Sequence, residues 1–478
     1  MHRLCCFLLL CLLVGSCRPS LVPGASGAAY GDPLVYLTTP DSSALLELQE
    51  GGGAPIAIGE VPGPHAALRL NPELRYQTMQ GFGFTLTGGS ATLIHTLPTA
   101  RRADLLRELF GPGPHGIGIS YLRISLGASD LDPAPFSYDD LPAGETDPEL
   151  EHFSLAPDRR HLIPLLREIL AVRPDLRLMA SPWSPPAWMK DNGATKGGSL
   201  RPEFYPVYAR YFVRYLQEMA AEGIRVDAVT VQNEPLHPGN NPSLLMPAEA
   251  QATFVGEHLG PTLAAAGLDT RIVIYDHNAD RPDYPLTVLD DDRARPYIDG
   301  TAFHLYAGPI DALSTVHAAY PDKHLYFTEQ WIGAPGDFAG DLRWHTEQLF
   351  IGAPRNWAET VLEWNLAADA RQEPHTPGGC TRCLGALTIE GGRVHRNTAY
   401  YNVAHSSRFV PPGSVRIGSE APPELPNVAY ATPDGAIVVL LLNTAAATQT
   451  VDLKINGRKY PVTLPAGAVA TSVFEPAR

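Results

Sequence analysis

Cysteine is scarce in most of this 478-residue chain. Four of the six cysteines lie within the first seventeen residues, and only Cys380 and Cys383 come later. A disulfide framework across the whole chain is therefore excluded. Positive charge is also in short supply, since 36 basic side chains stand against 51 acidic ones and the formal net charge is -15. Such a surface repels phosphate backbones and anionic membranes, which argues against a nucleic-acid partner.

Long apolar runs are missing after the N-terminus. No later segment approaches about 18 uninterrupted apolar residues, so we expect a soluble body without a membrane span. Hydrophobic residues make up 44% of the chain, which is ample for a sizeable core and excludes general disorder. The length predicts two or three domains, or one large α/β barrel with an attachment.

The N-terminus has the pattern of an export signal. Arg3 is followed by an apolar run from Leu4 to Val14 and then by small residues. This run is too short for a stable membrane span, and its order of charge, apolar stretch and small residues is typical of a secretory signal. The stretch Val14-Gly15-Ser16-Cys17 also resembles a bacterial lipobox. We therefore expect a signal peptide over residues 1–16.

The same segment predicts where the protein resides. Lipidation of Cys17, followed by a flexible tether over residues 17–30, would give an outer-membrane or cell-surface lipoprotein. The alternative is an ordinary signal cut before Tyr30, which would give a periplasmic or secreted protein. The membrane is therefore expected as a partner only through a lipid anchor at Cys17.

From Gln77 onward, short apolar strands alternate with amphipathic helical stretches. The predicted strands are Thr78–Leu86, Ile119–Leu126, Leu176–Pro182, Val226–Gln232, Arg271–Tyr275, Gly300–Tyr306, His324–Thr328 and Glu359–Trp364. Eight strands with helical or long connections predict a (β/α)8 TIM barrel over residues 73–406. A doubly wound sheet is the alternative, but Gly81-Phe82-Gly83 lacks the third glycine of a phosphate loop.

Outside the barrel the hydrophobic period changes to that of β-strands. Residues 407–478 alternate in strands and turns, with Asn456-Gly457 predicting a two-residue hairpin turn. Strand-like pieces within residues 31–72 are expected to join them. The predicted fold class is therefore α/β, a TIM barrel with an attached all-β sandwich.

Two glutamates follow apolar barrel strands. Glu234 comes directly after Asn233 at the end of the fourth strand, and Glu329 ends the seventh. All strand C-termini of a barrel open onto one face, so the two carboxylates can converge on one cleft. Most carboxylates are merely solvated at the surface, but a facing pair is what glycosidic cleavage requires, because one donates a proton while the other attacks or activates water.

An ordered set of short motifs resembles glycoside hydrolase family 30, the family of the lysosomal glucosylceramidase and of bacterial and fungal β-1,6-glucanases. The matching segments are Gly81-Phe82-Gly83, Leu122-Arg123-Ile124-Ser125, Ala180 to Trp188, Asn233-Glu234-Pro235, His304-Leu305-Tyr306, Thr328-Glu329 and Glu363-Trp364-Asn365. The resemblance implies the same barrel and sandwich and a retaining, double-displacement mechanism.

The resemblance also implies roles for individual residues. Glu234 corresponds to the general acid/base, whose surroundings should raise its pKa, and Glu329 to the nucleophile, which must stay ionised. Supporting or substrate-binding roles are implied for Arg123, Trp183, Asn233, His304, Tyr306, Trp331 and Trp364. Arg123 and Tyr306 would hold the nucleophile, and Asn233 would bind the sugar 2-hydroxyl. The tryptophans would wall the sugar site; ordinary core packing is the alternative for the aromatic residues.

One departure from the glucosylceramidase pattern concerns specificity. Gly88 stands where that pattern has an aspartate that grips the O4/O6 side of a terminal glucose. The change should open space for a 6-linked sugar, which favours an endo-β-1,6-glucanase acting on β-glucan over an exo-acting β-glucosidase of glucosylceramidase type. The alternative is that Gly88 and Gly89 merely form a tight turn.

Cys380 and Cys383 lie in the connection after the eighth strand. Their spacing could serve redox chemistry, zinc binding with His375 or His395, or a local disulfide. A disulfide that pins a loop at the barrel mouth is the expectation for an exported protein. We expect no metal and no cofactor.

Two other classes of function remain open. One is a non-catalytic glycan-binding lipoprotein on a decayed barrel, although both carboxylates are present. The other is a metal-dependent hydrolase built on Asp276, His277 and His304, which lack a recognisable ligand spacing.

Overall fold

The computed structural model describes residues 30–49, 65–113 and 115–477. The predicted signal peptide, the lipidation site Cys17 and nearly all of the predicted tether lie outside the described residues. Within the described part of the chain, none of the helices combines the length and the apolar content that a bilayer crossing needs.

The strands fall into three groups along the chain. The N-terminal strands are β1 (Leu34–Thr38), β2 (Glu47–Leu48) and β3 (Ala66–Thr78). The barrel region contains β4 (Gly81–Leu86), β5 (Tyr121–Leu126), β6 (Arg177–Pro182), β7 (Ala228–Thr230), β8 (Arg271–Asn278), β9 (Ile298–His304), β10 (His324–Glu329), β11 (Ile332–Gly333), β12 (Ala358–Asn365), β13 (Ala367–Ala368), β14 (Cys383–Leu384), β15 (Leu387–Glu390) and β16 (Arg393–Arg396). The C-terminal strands are β17 (Val415–Ser419), β18 (Asn427–Ala431), β19 (Ile437–Leu442), β20 (Gln449–Ile455), β21 (Arg458–Leu464) and β22 (Val469–Phe474).

Helices connect the barrel strands. The α-helices are α1 (Gly88–His95), α2 (Thr99–Phe110), α3 (Leu162–Val172), α4 (Tyr205–Ala221), α5 (Ala248–Thr253), α6 (Gly260–Ala265), α7 (Asp283–Asp290), α8 (Ala312–Ala319), α9 (Phe338–His345), α10 (Ala353–Arg355) and α11 (Thr398–Ser407). Helix α4 shows why they form, because its apolar residues recur at helical spacing and Tyr208, Phe212 and Tyr215 are buried. The helices therefore cover the outside of the barrel.

The barrel is closed and parallel, in the order β10-β12-β4-β5-β6-β7-β8-β9. Strands β4 and β5 are buried along their whole length, as expected for a parallel sheet covered on both faces. A Cβ on Gly83 would lie 1.9 Å from the Tyr121 carbonyl oxygen, so only glycine allows these two strands to pair so closely. One interior layer is filled by Tyr121, Met179, Ala228, Val273, Ala302, Tyr326 and Leu362. The predicted TIM barrel is confirmed.

A second sheet joins both ends of the described chain. Its order is β2-β1-β22-β19-β18-β17-β3-β20-β21. Strand β3 pairs with β20 through Ala66–Arg69 and with β17 further on, so it links the two layers of the sandwich. Strands β20 and β21 form a hairpin whose turn residues, Asn456 and Gly457, both have positive φ. The predicted all-β sandwich is confirmed.

All eight barrel strands differ from their predicted bounds by one to three residues at one or both ends, and two of these differences bear on the site. Strand β7 spans only Ala228–Thr230, because the chain turns away after it and Glu234 takes a φ of 45°. Strand β8 extends to Asn278, three residues further than predicted. Both changes occur at the carboxyl end of the barrel, where side chains must reach the central cleft.

Candidate active site

A cavity of about 330 Å³ opens at the carboxyl end of the barrel. Its walls come from several strands and the loops that follow them, and include Asp130, Trp183, Glu234, Tyr306, Glu329 and Trp364. The volume is in the range of small-ligand sites. The structure therefore brings the two predicted catalytic glutamates into one cleft.

Arg123, on β5, is the centre of a buried polar network. Its side chain is fully buried and donates from Nη1 to Glu329 Oε2 at 2.6 Å and from Nη2 to Asp276 Oδ2 at 2.8 Å. It also donates to Asn233 Oδ1 at 2.6 Å and to Ser181 Oγ at 2.9 Å. A buried cation that is fully paired fixes its partners in position, so Arg123 orients three strands at once.

Asp276 is the functional residue that sequence reasoning placed in the wrong context. It was considered only as a metal ligand, whereas its carboxylate is buried and accepts from Arg123, from Thr230 Oγ1 at 2.7 Å and from Thr328 Oγ1 at 2.7 Å. Tyr275 and Asp276 both have positive φ, a strained backbone that is common at functional sites. The sequence held one signal for a role of Asp276 in the site, its position at the end of the fifth barrel strand.

Glu329 lies between a cation and a hydroxyl group. Arg123 binds its Oε2, and Tyr306 donates its phenolic hydroxyl to Oε1 at 2.9 Å. Tyr306 is 37% exposed, and its ring also lines the cleft. The two contacts leave the carboxylate in a single orientation, with one edge toward the cavity.

Glu234 is oriented by histidine. The Nδ1 atom of His304 lies 3.2 Å from Glu234 Oε1, while its Nε2 lies 3.1 Å from Asp276 Oδ1. The same Nδ1 is 3.7 Å from Glu329 Oε1. The Oε1 atoms of the two glutamates are thus less than about 7 Å apart, which admits the separation of about 5–5.5 Å that retention requires.

The pKa direction at Glu234 is the reverse of the sequence-based expectation. Burial alone would raise the pKa of Glu234, but His277 and His304 outweigh it and lower that pKa below its usual range. Burial raises the pKa of Glu329, against the opposing charges of His304 and Arg123. The expectation was wrong because the sequence could not show that His304 faces Glu234.

The proton of this cluster therefore belongs to His304 in the free protein. Burial opposes its charge, but Glu329, Asp276 and Glu234 surround it and raise its pKa to about 9. Glu234 and His304 form a charged pair in which His304 Nδ1 lies 3.2 Å from Glu234 Oε1. His304 and these three carboxylates share their protons as a set, so His304 can supply Glu234.

The same residues are the ones that could hold a metal ion. Ligand atoms of Glu234, His277 and His304 lie within 4.8 Å of one another. His304 Nδ1 faces a carboxylate and the pKa of His304 is raised to about 9, so a metal would have to displace its proton. The geometry fits a proton-sharing pair better than a metal centre.

Aromatic side chains and a disulfide form one wall of the cavity. The rings of Trp183 and Trp364 lie 5.5 Å apart, and Trp331 packs against the cluster to which they belong. Cys380 and Cys383 form a disulfide in the loop beside these tryptophans. The structure thus places the cysteine loop at the barrel mouth, against the predicted sugar-binding wall.

The structure bears differently on the predictions made for Asn233 and for Gly88. The Asn233 Oδ1 is occupied by Arg123, which leaves its amide nitrogen as a donor for a ligand. The predicted open space at Gly88 is wrong, because a Cβ there would lie 1.7 Å from Asp132 Oδ1. Asp132 itself is buried and accepts from the Ser129 N–H and hydroxyl, so this corner is filled.

Two family models match nearly all of the described chain. The description "Glycosyl hydrolase family 30 TIM-barrel domain" matches residues 79–410, and "Glycosyl hydrolase family 30 beta sandwich domain" matches residues 413–472. The two matches meet between α11 and β17, where the barrel gives way to the C-terminal strands.

Curated relatives and solved structures agree with the family models. The endo-1,6-β-D-glucanase neg1 of Aspergillus fumigatus is 36% identical over 428 residues, covering 83% of this chain and 85% of its own. The lysosomal acid glucosylceramidase of Mus musculus is 29% identical over 455 residues, covering 88% and 86%. The solved endo-β1,6-glucanase BT3312 superposes with a TM-score of 0.84 at 34% identity, covering 93% of this chain and 100% of that one. This chain belongs to glycoside hydrolase family 30.

Proposed function

We propose that this protein is an endo-acting β-1,6-glucanase that cleaves its substrate by double displacement, with Glu329 as nucleophile and Glu234 as acid/base. The observation that carries the proposal is the setting of Glu329, which is held by Arg123 and Tyr306 at the cleft and faces a second carboxylate across it. Two carboxylates in this relation are the machinery of retaining glycosidases.

In the first step, a Glu329 oxygen attacks the anomeric carbon as the bond to the glycosidic oxygen breaks. Glu234, which has received the proton of His304, gives it to that oxygen, and the shortened chain leaves as an alcohol. Arg123 and Tyr306 hold the nucleophile in its attacking orientation. We assign the Asn233 amide nitrogen, which Arg123 leaves as a donor, to the sugar 2-hydroxyl. The product of this step is a glycosyl ester on Glu329.

In the second step, Glu234 accepts a proton from water as the water oxygen attacks the anomeric carbon. The ester bond breaks, Glu329 recovers its negative charge and the anomeric configuration of the substrate is retained. Glu234 then holds a proton again and can pass it back to His304, whose Nδ1 lies 3.2 Å from Glu234 Oε1, which restores the starting protonation state. We therefore assign His304 a positioning and proton-sharing role.

The substrate assignment draws on relatives named endo-1,6-β-D-glucanases. Those of Aspergillus fumigatus and Neurospora crassa are 36% and 35% identical to this chain over 83% of its length. The glucosylceramidase of Mus musculus, at 29%, supports an exo-acting β-glucosidase as second candidate.

Active-site variants test the chemistry. On soluble β-1,6-glucan, we expect Glu329→Gln to lose activity by about 10⁴-fold or more, since an amide cannot form the ester. Glu234→Ala should lose activity toward unactivated substrate. On a substrate with an activated leaving group it should gain activity with azide, which attacks the glycosyl ester without needing a base, displaces Glu329 and gives the glycosyl azide. Equal activity of Glu329→Gln and the parent protein would overturn the proposal.

Product analysis separates the two candidate functions. An endo-acting enzyme releases a range of oligosaccharides early in the digestion of linear β-1,6-glucan, whereas an exo-acting enzyme releases glucose alone. We expect the first pattern, and no hydrolysis of glucosylceramide. A chelator should leave the activity unchanged, and its loss would favour the metal-dependent alternative.

The N-terminal segment supports a further proposal about location. The lipobox-like stretch ending at Cys17 and the tether after it suit an exported enzyme anchored by lipid. Metabolic labelling with palmitate tests this in the full chain. We expect label in the parent protein and none in Cys17→Ala; label-free, freely released parent protein would favour the ordinary export signal.

A further inference from the structure

The long segment between β5 and α3 carries a cluster of ionisable side chains that is separate from the catalytic groups. Ligand atoms of Asp139, Asp147 and His152 all lie within 4.8 Å of one another. These three residues are not part of the wall of the catalytic cavity, and the reaction described above does not use them. The cluster therefore needs an explanation of its own.

Asp139 is buried without a partner for its carboxylate. The residue is 1% exposed, and neither of its carboxylate oxygens has a hydrogen-bond partner within the described part of the chain. Its backbone is held on both sides, because its N–H donates to Ser137 Oγ at 3.2 Å and its carbonyl oxygen accepts from Trp188 Nε1 at 2.9 Å. A buried carboxylate that stays unpaired costs free energy, so two unpartnered oxygens beside a second carboxylate point to a bound cation.

The charges of the protein itself do not compensate this carboxylate. Burial, with the nearby charge of Asp147, raises the pKa of Asp139 to about 6, while His152 and Arg214 oppose the shift. Arg214 acts only from a distance, since its Nη1 donates to the Leu150 carbonyl oxygen at 2.6 Å. A divalent cation would neutralise both carboxylates of the cluster at once.

His152 supplies the third ligand and opens the cluster to solvent. Its side chain is 67% exposed, and its Nδ1 lies 3.0 Å from Asp147 Oδ2. Zn²⁺ binds imidazole nitrogen and carboxylate oxygen at about 2.0–2.2 Å, so two ligands of one ion lie about 3–4 Å apart. Small side-chain rotations would therefore bring all three residues onto one ion. His304 in the cleft differs, because both of its ring nitrogens face buried carboxylates.

We propose that Asp139, Asp147 and His152 bind a divalent transition-metal ion, for which Zn²⁺ is the probe. Imidazole and carboxylate ligands together suit Zn²⁺, whereas Ca²⁺ takes about six to eight oxygen ligands. The ion ties the turn that carries Asp147 and His152 to the part of the segment that carries Asp139, and it stabilises the fold without entering the reaction. A metal here departs from the sequence-based expectation of none, because the spacing of these residues along the chain follows no recognised ligand motif.

Zinc binding to the untagged, chelator-treated full chain tests the proposal. We expect isothermal titration calorimetry to show one Zn²⁺ bound to the cluster. The Tm should rise by about 2–5 °C at a Zn²⁺ concentration about 100-fold above Kd. Asp139→Asn and His152→Gln should each raise Kd by about 10-fold or more and lose the Tm rise. A Tm rise with Ca²⁺ but not with Zn²⁺ would contradict a transition-metal site.

The variants are chosen so that misfolding cannot mimic the expected result. Asp139→Asn removes an unpaired buried charge, so its Tm without metal should equal or exceed that of the parent.

Asp140→Asn is the matched control. Asp140 is the neighbouring carboxylate, but it accepts from the Ser137 N–H at 2.9 Å and from the Ser137 hydroxyl at 2.6 Å and lies outside the cluster. It should keep the parent Kd and the Tm rise. Zinc affinity in Asp139→Asn equal to that of the parent would overturn the proposal. Loss of zinc binding in His277→Gln but not in Asp139→Asn would also refute it, because the ion would then lie in the catalytic cleft.

Discussion

The two ends of the barrel both carry charged networks, but they treat the charges differently. At the carboxyl end, Arg123 is fully buried and pairs with Asp276 and Glu329, which are also buried. At the amino end, Arg177 and Arg271 both donate to Gln80 Oε1, at 2.7 and 2.9 Å.

The amino-end network is partly exposed to solvent. The Arg271 side chain is 41% exposed and lies 3.5 Å from Asp299, which also accepts from the Tyr326 hydroxyl at 2.6 Å. Exposed pairs are screened and contribute little to stability, whereas removing one member of a buried pair leaves an uncompensated charge. The comparison teaches that similar residues close one end of the barrel and perform chemistry at the other.

The largest expected difference between the two ends is in the stability and kcat/KM of variants that lack an arginine. Arg123→Met leaves Glu329 and Asp276 without their buried cation, so we expect about 3–5 kcal/mol loss of stability. The same variant should lower kcat/KM by about 10²–10³-fold or more. Arg271→Met should cost about 0–1 kcal/mol and leave kcat/KM nearly unchanged. Chemical denaturation and steady-state kinetics measure both; equal losses at the two ends would refute the contrast.

A smaller difference is expected at two tyrosines that each donate to a carboxylate. Tyr306→Phe removes the hydroxyl that binds Glu329, and we expect kcat/KM to fall by about 10–100-fold, with a shift in the pH profile of kcat. Tyr326→Phe removes the hydroxyl that binds Asp299 at the other end, and kcat/KM should stay at the parent value. A similar loss of kcat/KM in both variants would show that the loss reflects a change in the barrel structure and would contradict a specific role of the Tyr306 hydroxyl at Glu329.

The smallest effect concerns the pH dependence of stability. Asp132 and Asp158 lie in the long loop after β5, and burial raises the pKa of each to about 7. The folded protein binds these two protons more tightly than the unfolded chain does, and this difference adds to the unfolding free energy. The added stability is fully present below about pH 4, the pKa of the unfolded chain, and is lost as the pH rises through about 7, the folded pKa.

The variant Asp132→Asn should therefore flatten the fall of unfolding free energy between about pH 4 and pH 7. Urea denaturation across this range measures the slope. Asp322→Asn, at an exposed carboxylate, serves as control and should leave the slope as in the parent. A slope in Asp132→Asn equal to that of the parent protein would contradict a raised pKa for Asp132 in the folded protein.

Much of the fold was predictable because the barrel has a regular pattern. Eight apolar strands with helical connections specify the topology, and strand ends must then converge on one face, which brings Glu234 and Glu329 into one cleft. The structural setting of Asp276 was not predictable, because its link to Arg123 joins β5 and β8 across the barrel. Asp130 lies in an aperiodic loop, so no pattern marked it.

The predicted pKa direction at Glu234 and the predicted open space at Gly88 were wrong. Motif order indicates which carboxylates converge, but pKa directions depend on neighbours within about 4–6 Å. His304 reaches Glu234 and Asp276 with its two ring nitrogens, and Asp132 fills the corner beside Gly88. These contacts join the ends of different strands or a strand end and a loop, and hydrophobic periodicity does not encode them.

The central claim is that Glu329 forms a covalent bond to the sugar. A 2-deoxy-2-fluoro-β-gentiobiosyl fluoride, which forms this ester readily and loses it slowly, allows the adduct to be located by peptide mass spectrometry. We predict one adduct per protein, on the peptide containing Glu329, with loss of activity in proportion to labelling. Inactivation without an adduct on that peptide, or an adduct on Glu234, would contradict the assignment.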